Sequence, residues 1–349
     1  MSGEAWALAR RGSLREIADE LGLSVPTVSR ALGGYTDIAE ATRKRVAETA
    51  KRLGYAPNAA GRMLASGKSG FVGLVLPVGA QQFVDAYLGA IVAGLSEGFS
   101  ERGLDLMIAT VPATETPLDT IRKLIGSRRV DGLILARIAP QDPRIALLRE
   151  AEVPFVALGR QLDGPGDHSW LDVDSGAAFA EAVERLAALG HRHIGLVSIT
   201  DDFSFARHRD ADTALAAARL GLRISRIATP RADREARRQG IRDLLTAPDR
   251  PTAVLGLVDG IALDVLNIAA DMGLSVPTDL SVIGFDDIAG SGHSTPPLST
   301  FEPYNQRLGR RAAHVLADLL TGTGKAPIQI LEKAEFVARG SHARAPDTK

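Results

Sequence analysis

The sequence contains no cysteine. That absence excludes disulfides and thiolate metal sites, and makes a reducing cytosol the natural setting. A metal would have to rely on carboxylates and on seven scattered histidines. Long apolar runs are missing too. No stretch reaches the roughly 18 uncharged apolar residues that a membrane helix needs. The apolar run at 5–9 is too short for a signal peptide, and Arg10 and Arg11 follow it rather than precede it. The expectation is a soluble, cytoplasmic protein without membrane contact.

Catalytic signatures are equally scarce. No G-x-G-x-x-G opens a helix and no G-x-x-x-x-G-K-[ST] occurs, so the usual nucleotide cradles are lacking. No G-x-S-x-G elbow presents a serine nucleophile. His191 and His193 flank Arg192 just before an apolar run. Such an alternating pair could hold a metal, but a polar helix-to-strand connection is the plainer reading. The chain therefore reads as a protein without catalytic residues, resident metal or cofactor.

What is present is a core-forming chain with an uneven charge. Its 349 residues, 45% of them hydrophobic, can build two or three compact units. Residues 1–70 carry 11 Lys and Arg against 7 Asp and Glu, a balance of +4, while the remainder carries 30 against 35, a balance of −5. A basic head on an acidic body is the distribution expected if only the head meets a polyanion.

Leu14, Ile17, Ala18 and Leu21 form a helical stripe that stops at Gly22, which can take the positive φ of a tight turn. Ser24 suits the N-cap of a second helix, with Pro26 in its first turn where a missing N–H costs nothing. Val28 and Leu32 turn that helix back onto the first, and Ala18 is small enough to let the two cross closely. This is the layout of a helix-turn-helix, whose second helix lies in the major groove of DNA. Its outward residues would be Val25, Pro26, Thr27, Ser29 and Arg30. Arg30 can address guanine bidentately or a phosphate, Val25 and Pro26 offer apolar contact, and Ser24, Thr27 and Ser29 suit phosphates. A third helix is expected over 40–53 with Val46, Ala50 and Leu53 inward. The short amphipathic run at 59–65 cannot hold a helix alone in water.

From Phe71 onward, apolar runs at 71–76, 132–135, 155–158, 194–197, 253–255 and 282–285 have the near-continuous character of buried parallel strands. Helical stretches at 86–102, 175–189, 206–220 and 261–272 lie between them. This is a doubly wound α/β pattern in two lobes, with a ligand expected at the strand C-termini.

Residues 14–32, then 41–55, then 57–64 resemble the DNA-binding head of the LacI/GalR (lactose-repressor) family. The body resembles the effector domain of the same family through Val130-Asp131-Gly132, Leu171-Asp172-Val173-Asp174, Leu189-Gly190-His191 and the run at 276–287. The resemblance implies an N-terminal all-α helix-turn-helix head plus an α/β periplasmic-binding-protein-like body of two doubly wound parallel-sheet lobes. It implies a flexible extension at 1–12, the head at 13–56, a hinge helix and linker at 57–69, and a body at 70–340. Lobe 1 would comprise about 70–171 and 299–326, lobe 2 about 172–298 and 327–340, with 341–349 a disordered tail. In the family the hinge folds on the operator and wedges a leucine into the minor groove, which by position would be Leu64, with Asn58 near the backbone. Ala39 stands where a capping serine is usual, and Gly61 where the hinge usually has alanine. Carried over by position, the effector residues would be Phe83, Arg160, Asp174, Arg209 and Asp286. Arg137, together with Arg160 and Arg209, would equally suit an acidic or phosphorylated ligand. The implied function is a repressor whose hold on double-stranded operator DNA is controlled by a small molecule, a sugar or sugar derivative, in the cleft. The implied assembly is a homodimer in the bacterial nucleoid, with a tetramer also open. A cytosolic solute-binding protein and a sugar-acting α/β enzyme are the rival readings, and neither accounts for residues 13–65.

Overall fold

A computed structural model describes residues 12–33, 35–55, 67–77, 86–112, 114–162, 166–324 and 327–346. The chain divides into two compact units at residues 69 and 70, each with its own core.

In the first unit, α1 (Leu14–Leu21) begins at a capping box in which Ser13 and Glu16 satisfy each other's backbone N–H groups. It ends at Gly22 with φ 64°, a left-handed value that costs glycine little. α2 (Val25–Leu32) is capped by Ser24, whose Oγ accepts from the Thr27 N–H at 3.2 Å, and Pro26 sits in its first turn. α3 (Glu40–Arg52) starts at Ala39 with no side-chain cap. The three helices close over Ile17, Ala18, Val28, Ala31, Val46 and Ala50.

The second unit alternates strand and helix: β1 (Phe71–Pro77), α4 (Ala86–Ser100), β2 (Asp105–Val111), α5 (Pro117–Gly126), β3 (Gly132–Ala136), α6 (Pro143–Glu150), β4 (Phe155–Leu158) and β5 (Trp170–Val173). There follow α7 (Ser175–Ala188), β6 (His193–Ile199), α8 (Ser204–Leu220), β7 (Arg223–Thr229), α9 (Arg234–Thr246), β8 (Ala253–Gly256), α10 (Asp259–Asp271) and β9 (Ser281–Ile283). The unit closes with β10 (Thr300–Glu302), α11 (Asn305–Thr321), β11 (Gln329–Glu332) and β12 (Glu335–Val337). One parallel sheet runs β11-β5-β4-β3-β1-β2 and the other β7-β6-β8-β9, while β10 and β12 form a separate antiparallel pair. Strands β3, β4 and β8 are buried throughout, as central parallel strands covered on both faces must be, and the edge strand β9 is buried as well.

Two expectations are corrected. Residues 327–340 do not all belong to lobe 2, because β11 pairs in parallel with β5 and extends the sheet of lobe 1. The segment 341–346 is not a disordered tail. The Val282 N–H donates to Ser341 O at 2.7 Å, the Ala343 N–H donates to Ser281 Oγ at 3.0 Å, and the Ala345 N–H donates to Leu189 O at 2.9 Å. The edge of β9 offers unpaired backbone groups, and the chain end covers them. Nor do His191 and His193 act together: His191 bonds Thr252 Oγ1 and Ala343 O, whereas His193 bonds Ser225 Oγ.

In lobe 1, α4 and α11 pack backbone to backbone through glycines. A Cβ on Gly309 would lie 2.5 Å from Ile91 O, and one on Gly98 would lie 2.6 Å from Arg310 O. Helix propensity alone favours Gly309→Ala by about 1 kcal/mol. The collision with backbone that cannot yield outweighs it, so this substitution is expected to lower stability by about 1–3 kcal/mol in chemical denaturation. A gain would show that the helices separate freely.

Burial pushes the imidazoles of His168, His191, His193, His208 and His342 below their ordinary value. A histidine kept neutral by the fold contributes stability that is present above about pH 6.5 and lost as pH falls through its depressed folded value. Buried carboxyls of Asp172 and Asp259 are shifted up and act in the opposite sense. His191→Gln isolates one imidazole: the wild-type advantage over this variant should be larger at pH 7 than at about pH 5. Parallel pH curves for the two proteins would contradict the assignment.

Candidate functional site

The first candidate surface is the face of α2. Ser24, Val25, Pro26 and Arg30 are exposed, Thr27 and Ser29 are half-buried, and Val28 and Ala31 point into the core. All six outward residues therefore share one short, capped helix. Arg30 is engaged within the head: its guanidinium pairs with Asp37 and lies 5.5 Å from the ring centre of Tyr35. Neither partner was foreseen, since Tyr35 and Asp37 follow α2 in a loop with no periodic signal. Asn58 and Leu64 lie outside the described residues.

The second candidate is a cavity of about 440 Å³ in the body. Its walls come from the C-terminal ends of strands in both sheets, with Arg137 after β3, Arg160 after β4, Leu257 after β8 and Phe285 with Asp286 after β9. Parallel strands deliver their connecting loops to one edge, so two such sheets facing each other make a cleft. Arg137 has φ 54° and Asp286 φ 116°, values unusual for residues with a Cβ. Backbone held this way at a cavity wall is a common mark of a binding site.

Arg209, on α8, is 6% exposed and lies 3.8 Å from the ring centre of Phe285, 5.0 Å from Phe205 and 5.4 Å from Phe179. One N–H donates to Leu257 O, while Nε is buried with no acceptor among the described residues. Burial pushes its pKa down, and Asp286 and Asp172 oppose that shift. The aromatic faces offset part of the desolvation.

Arg160 Nε donates to Asp172 Oδ2 at 3.0 Å, and burial raises the Asp172 carboxyl against the pull of that arginine. Asp172, which the sequence reading passed over, lines the cavity, whereas Asp174 does not. Asp174 caps α7, its Oδ1 accepting from the Ala177 N–H at 3.3 Å, and stands 3.9 Å from Arg160. The cavity thus gathers Arg137, Arg160, Arg209 and Asp286 from the expected set, leaves Asp174 at its margin, and adds Tyr87, Phe203, Phe205 and three arginines near α9. Phe203 and Phe205 stack 5.8 Å apart. Phe83 lies outside the described residues.

Behind Asp286, the 0%-exposed carboxylate of Asp259 accepts from Ser291 Oγ at 2.6 Å, Thr300 Oγ1 at 2.6 Å and the Ile288 N–H at 3.1 Å. Burial pushes this carboxyl up while the three donors pull it down.

Comparison with known proteins joins the two surfaces. The pattern of bacterial regulatory proteins of the lacI family matches residues 13–58, and that of the periplasmic binding protein-like domain matches residues 183–342. The chain is 35% identical over 340 residues to the HTH-type transcriptional regulator AglR of Rhizobium meliloti (strain 1021), covering 96% of this chain and 95% of that one. The chain belongs to the LacI family of transcription regulators. Another relative is the HTH-type transcriptional regulator CelR of Thermobifida fusca, 29% identical over 95% of this chain and 98% of its own. Among solved structures, a CelR–cellobiose complex superposes with a TM-score of 0.71 at 28% identity, covering 95% of this chain and 100% of that one. The lac repressor dimer bound to operator and the anti-inducer ONPF superposes with a TM-score of 0.80 at 25% identity, covering 95% of this chain and 99% of that one. As a LacI-family regulator, this chain combines a DNA-binding head with a ligand-responsive body.

The cap assignment of Asp174 is open to measurement. Asp174→Ala should cost about 1 kcal/mol of stability, and Asp174→Asn almost nothing, because asparagine caps equally well. Loss of ligand response in a normally stable Asn variant would instead assign Asp174 to the ligand.

Proposed function

We propose that this LacI-family regulator is a cytoplasmic repressor that binds a two-fold symmetric operator as a homodimer and is controlled by a sugar or sugar derivative in the cleft of its body. The observation that carries the effector reading is Arg209: a buried guanidinium set among aromatic rings at the wall of a cavity large enough for a sugar-sized ligand. Guanidinium and carboxylate groups make charge-assisted hydrogen bonds to hydroxyls, and Phe203 or Phe205 can cover an apolar sugar face. The cellobiose complex of CelR and the operator-bound lac repressor dimer support the sugar class and the dimer by relationship.

In this reading the ligand bridges Arg160 and Asp172 of lobe 1 and Arg209 and Asp286 of lobe 2, and so favours one lobe arrangement. A coupling of about 1–3 kcal/mol then changes operator occupancy. On the DNA side, Arg30 reads a base and Ser24, Thr27 and Ser29 anchor phosphates. Asn58, on the backbone, and Leu64, in the minor groove, complete the contact.

The decisive experiment retains genomic fragments on the full-length protein and repeats the binding with a sugar panel. At least one fragment is expected to bind tightly and salt-dependently, and at least one sugar to change that affinity. Failure to retain any fragment would overturn the DNA reading, and indifference to every sugar would overturn the effector reading. Because Asp37 competes with DNA for Arg30, Asp37→Asn should tighten operator binding by up to about fivefold at low salt. Arg30→Ala should relax base preference.

A further inference from the structure

Arg30 touches two side chains of the loop after α2, and only one of them competes with DNA. Its ion pair with Asp37 is exposed on both sides, the two side chains being 51% and 48% accessible. Such a pair is weak and readily exchanged for another anion. It also takes up N–H donors that a base or phosphate needs. The ring of Tyr35, whose centre lies 5.5 Å from the guanidinium carbon, takes up none as a conventional acceptor, because it offers the arginine only a π face. Arg30 can therefore leave Asp37 for a guanine without leaving Tyr35.

The loop fixes this ring at the end of α2. The Tyr35 N–H donates to Arg30 O at 3.2 Å, and Tyr35 O accepts from the Ile38 N–H at 3.2 Å and from Arg43 Nη1 at 3.2 Å. Arg43 belongs to α3, so the loop is tied to both helices. One edge of the ring rests on Gly33, where an added Cβ would stand 3.0 Å from Tyr35 Cε2. The side chain nevertheless stays 46% exposed. Among the described residues of the head, only Val25 is a second large hydrophobic side chain left exposed, at 40%, and it begins the same helix.

Holding the guanidinium before contact lowers the cost of contact. A flexible arginine loses rotamer freedom when it is fixed on a base, and an interaction already made in the free protein removes part of that loss. We infer that Tyr35 is the positioning residue of the DNA-reading helix: its ring holds the Arg30 guanidinium while the planar fork of N–H donors passes from Asp37 to a base edge. The inference rests on the reading of Arg30 as a base contact and adds the residue that aims it.

Tyr35→Phe and Tyr35→Leu separate the ring face from the bulk that fills the space against Gly33. The full-length protein selects from duplexes with about 20 randomised base pairs, room for two half-sites. Wild type and variants are then compared for preference at each base pair and for affinity to a scrambled duplex. Tyr35→Phe should match wild type. Tyr35→Leu should lower the preference for the selected duplex over the scrambled one about two- to fivefold, at the base pair whose preference Arg30→Ala relaxes. Its affinity for the scrambled duplex, which needs only a folded head and phosphate contacts, should not change. In an Arg30→Ala background Tyr35→Leu should have no further effect. Equal behaviour of the two Tyr35 variants, or an undiminished loss in the Arg30→Ala background, overturns the inference and leaves Arg30 as the reader. Weakening of selected and scrambled binding in step assigns Tyr35 to the fold of the head and overturns it too. If Arg30→Ala changes no base preference, or wild type enriches no sequence, the underlying reading fails and the inference with it.

Discussion

One buried carboxylate holds the ligand-facing part of lobe 2 in shape. Asp259 stands at the first residue of α10, where the helix dipole favours negative charge. Its oxygens tie together the loop after Asp286, through Ile288 and Ser291, and the crossover strand β10, through Thr300. Gly284 must be glycine there, since a Cβ would collide with Asp259 Oδ1. The segment that presents Asp286 to the cavity and the segment that leads into lobe 1 therefore share a single anchor. A shift of one is transmitted to the other through hydrogen bonds that are costly to leave unmade in a dry interior.

The interior of this fold was legible because burial on both faces writes itself as unbroken apolar sequence. Strands β1, β3, β4, β6, β8 and β9 carry that signature. The edge strands β2 and β7 do not: nearly all their residues are exposed or half-buried, and Asp105, Arg223 and Arg226 interrupt them. The strands β5, β10, β11 and β12 span only three or four residues each, too few to establish any period. Placing β11 with lobe 1 required knowing its partner β5, some 160 residues away in sequence, which no local pattern encodes.

The candidate sites divide along the same line. The head is assembled from neighbours in sequence, so glycine, cap and stripe identified α2 and its outward face directly. The Arg30–Asp37–Tyr35 contact escaped because it depends on a loop conformation. The cleft joins residues more than 100 positions apart, and there the resemblance supplied what spacing could not. It did not separate the neighbouring carboxylates: Asp172 faces the cavity, while Asp174, two residues on, caps a helix at its margin. Arg231, Arg234 and Arg237 sit on and before a helix whose charged residues look like an ordinary solvated face until Asp264 is seen buried against them.

The chain end that closes over β9 also fixes an order of events during synthesis. Lobe 1 needs α11 and β11, and lobe 2 needs residues 341–346, so neither is complete until the chain through residue 332 or 346 has left the ribosome. The three-helix head, built from its first described residues alone, can close its core long before. Premature termination would thus release a head without its ligand-sensing body. Translation through residue 346 is what couples the one to the other.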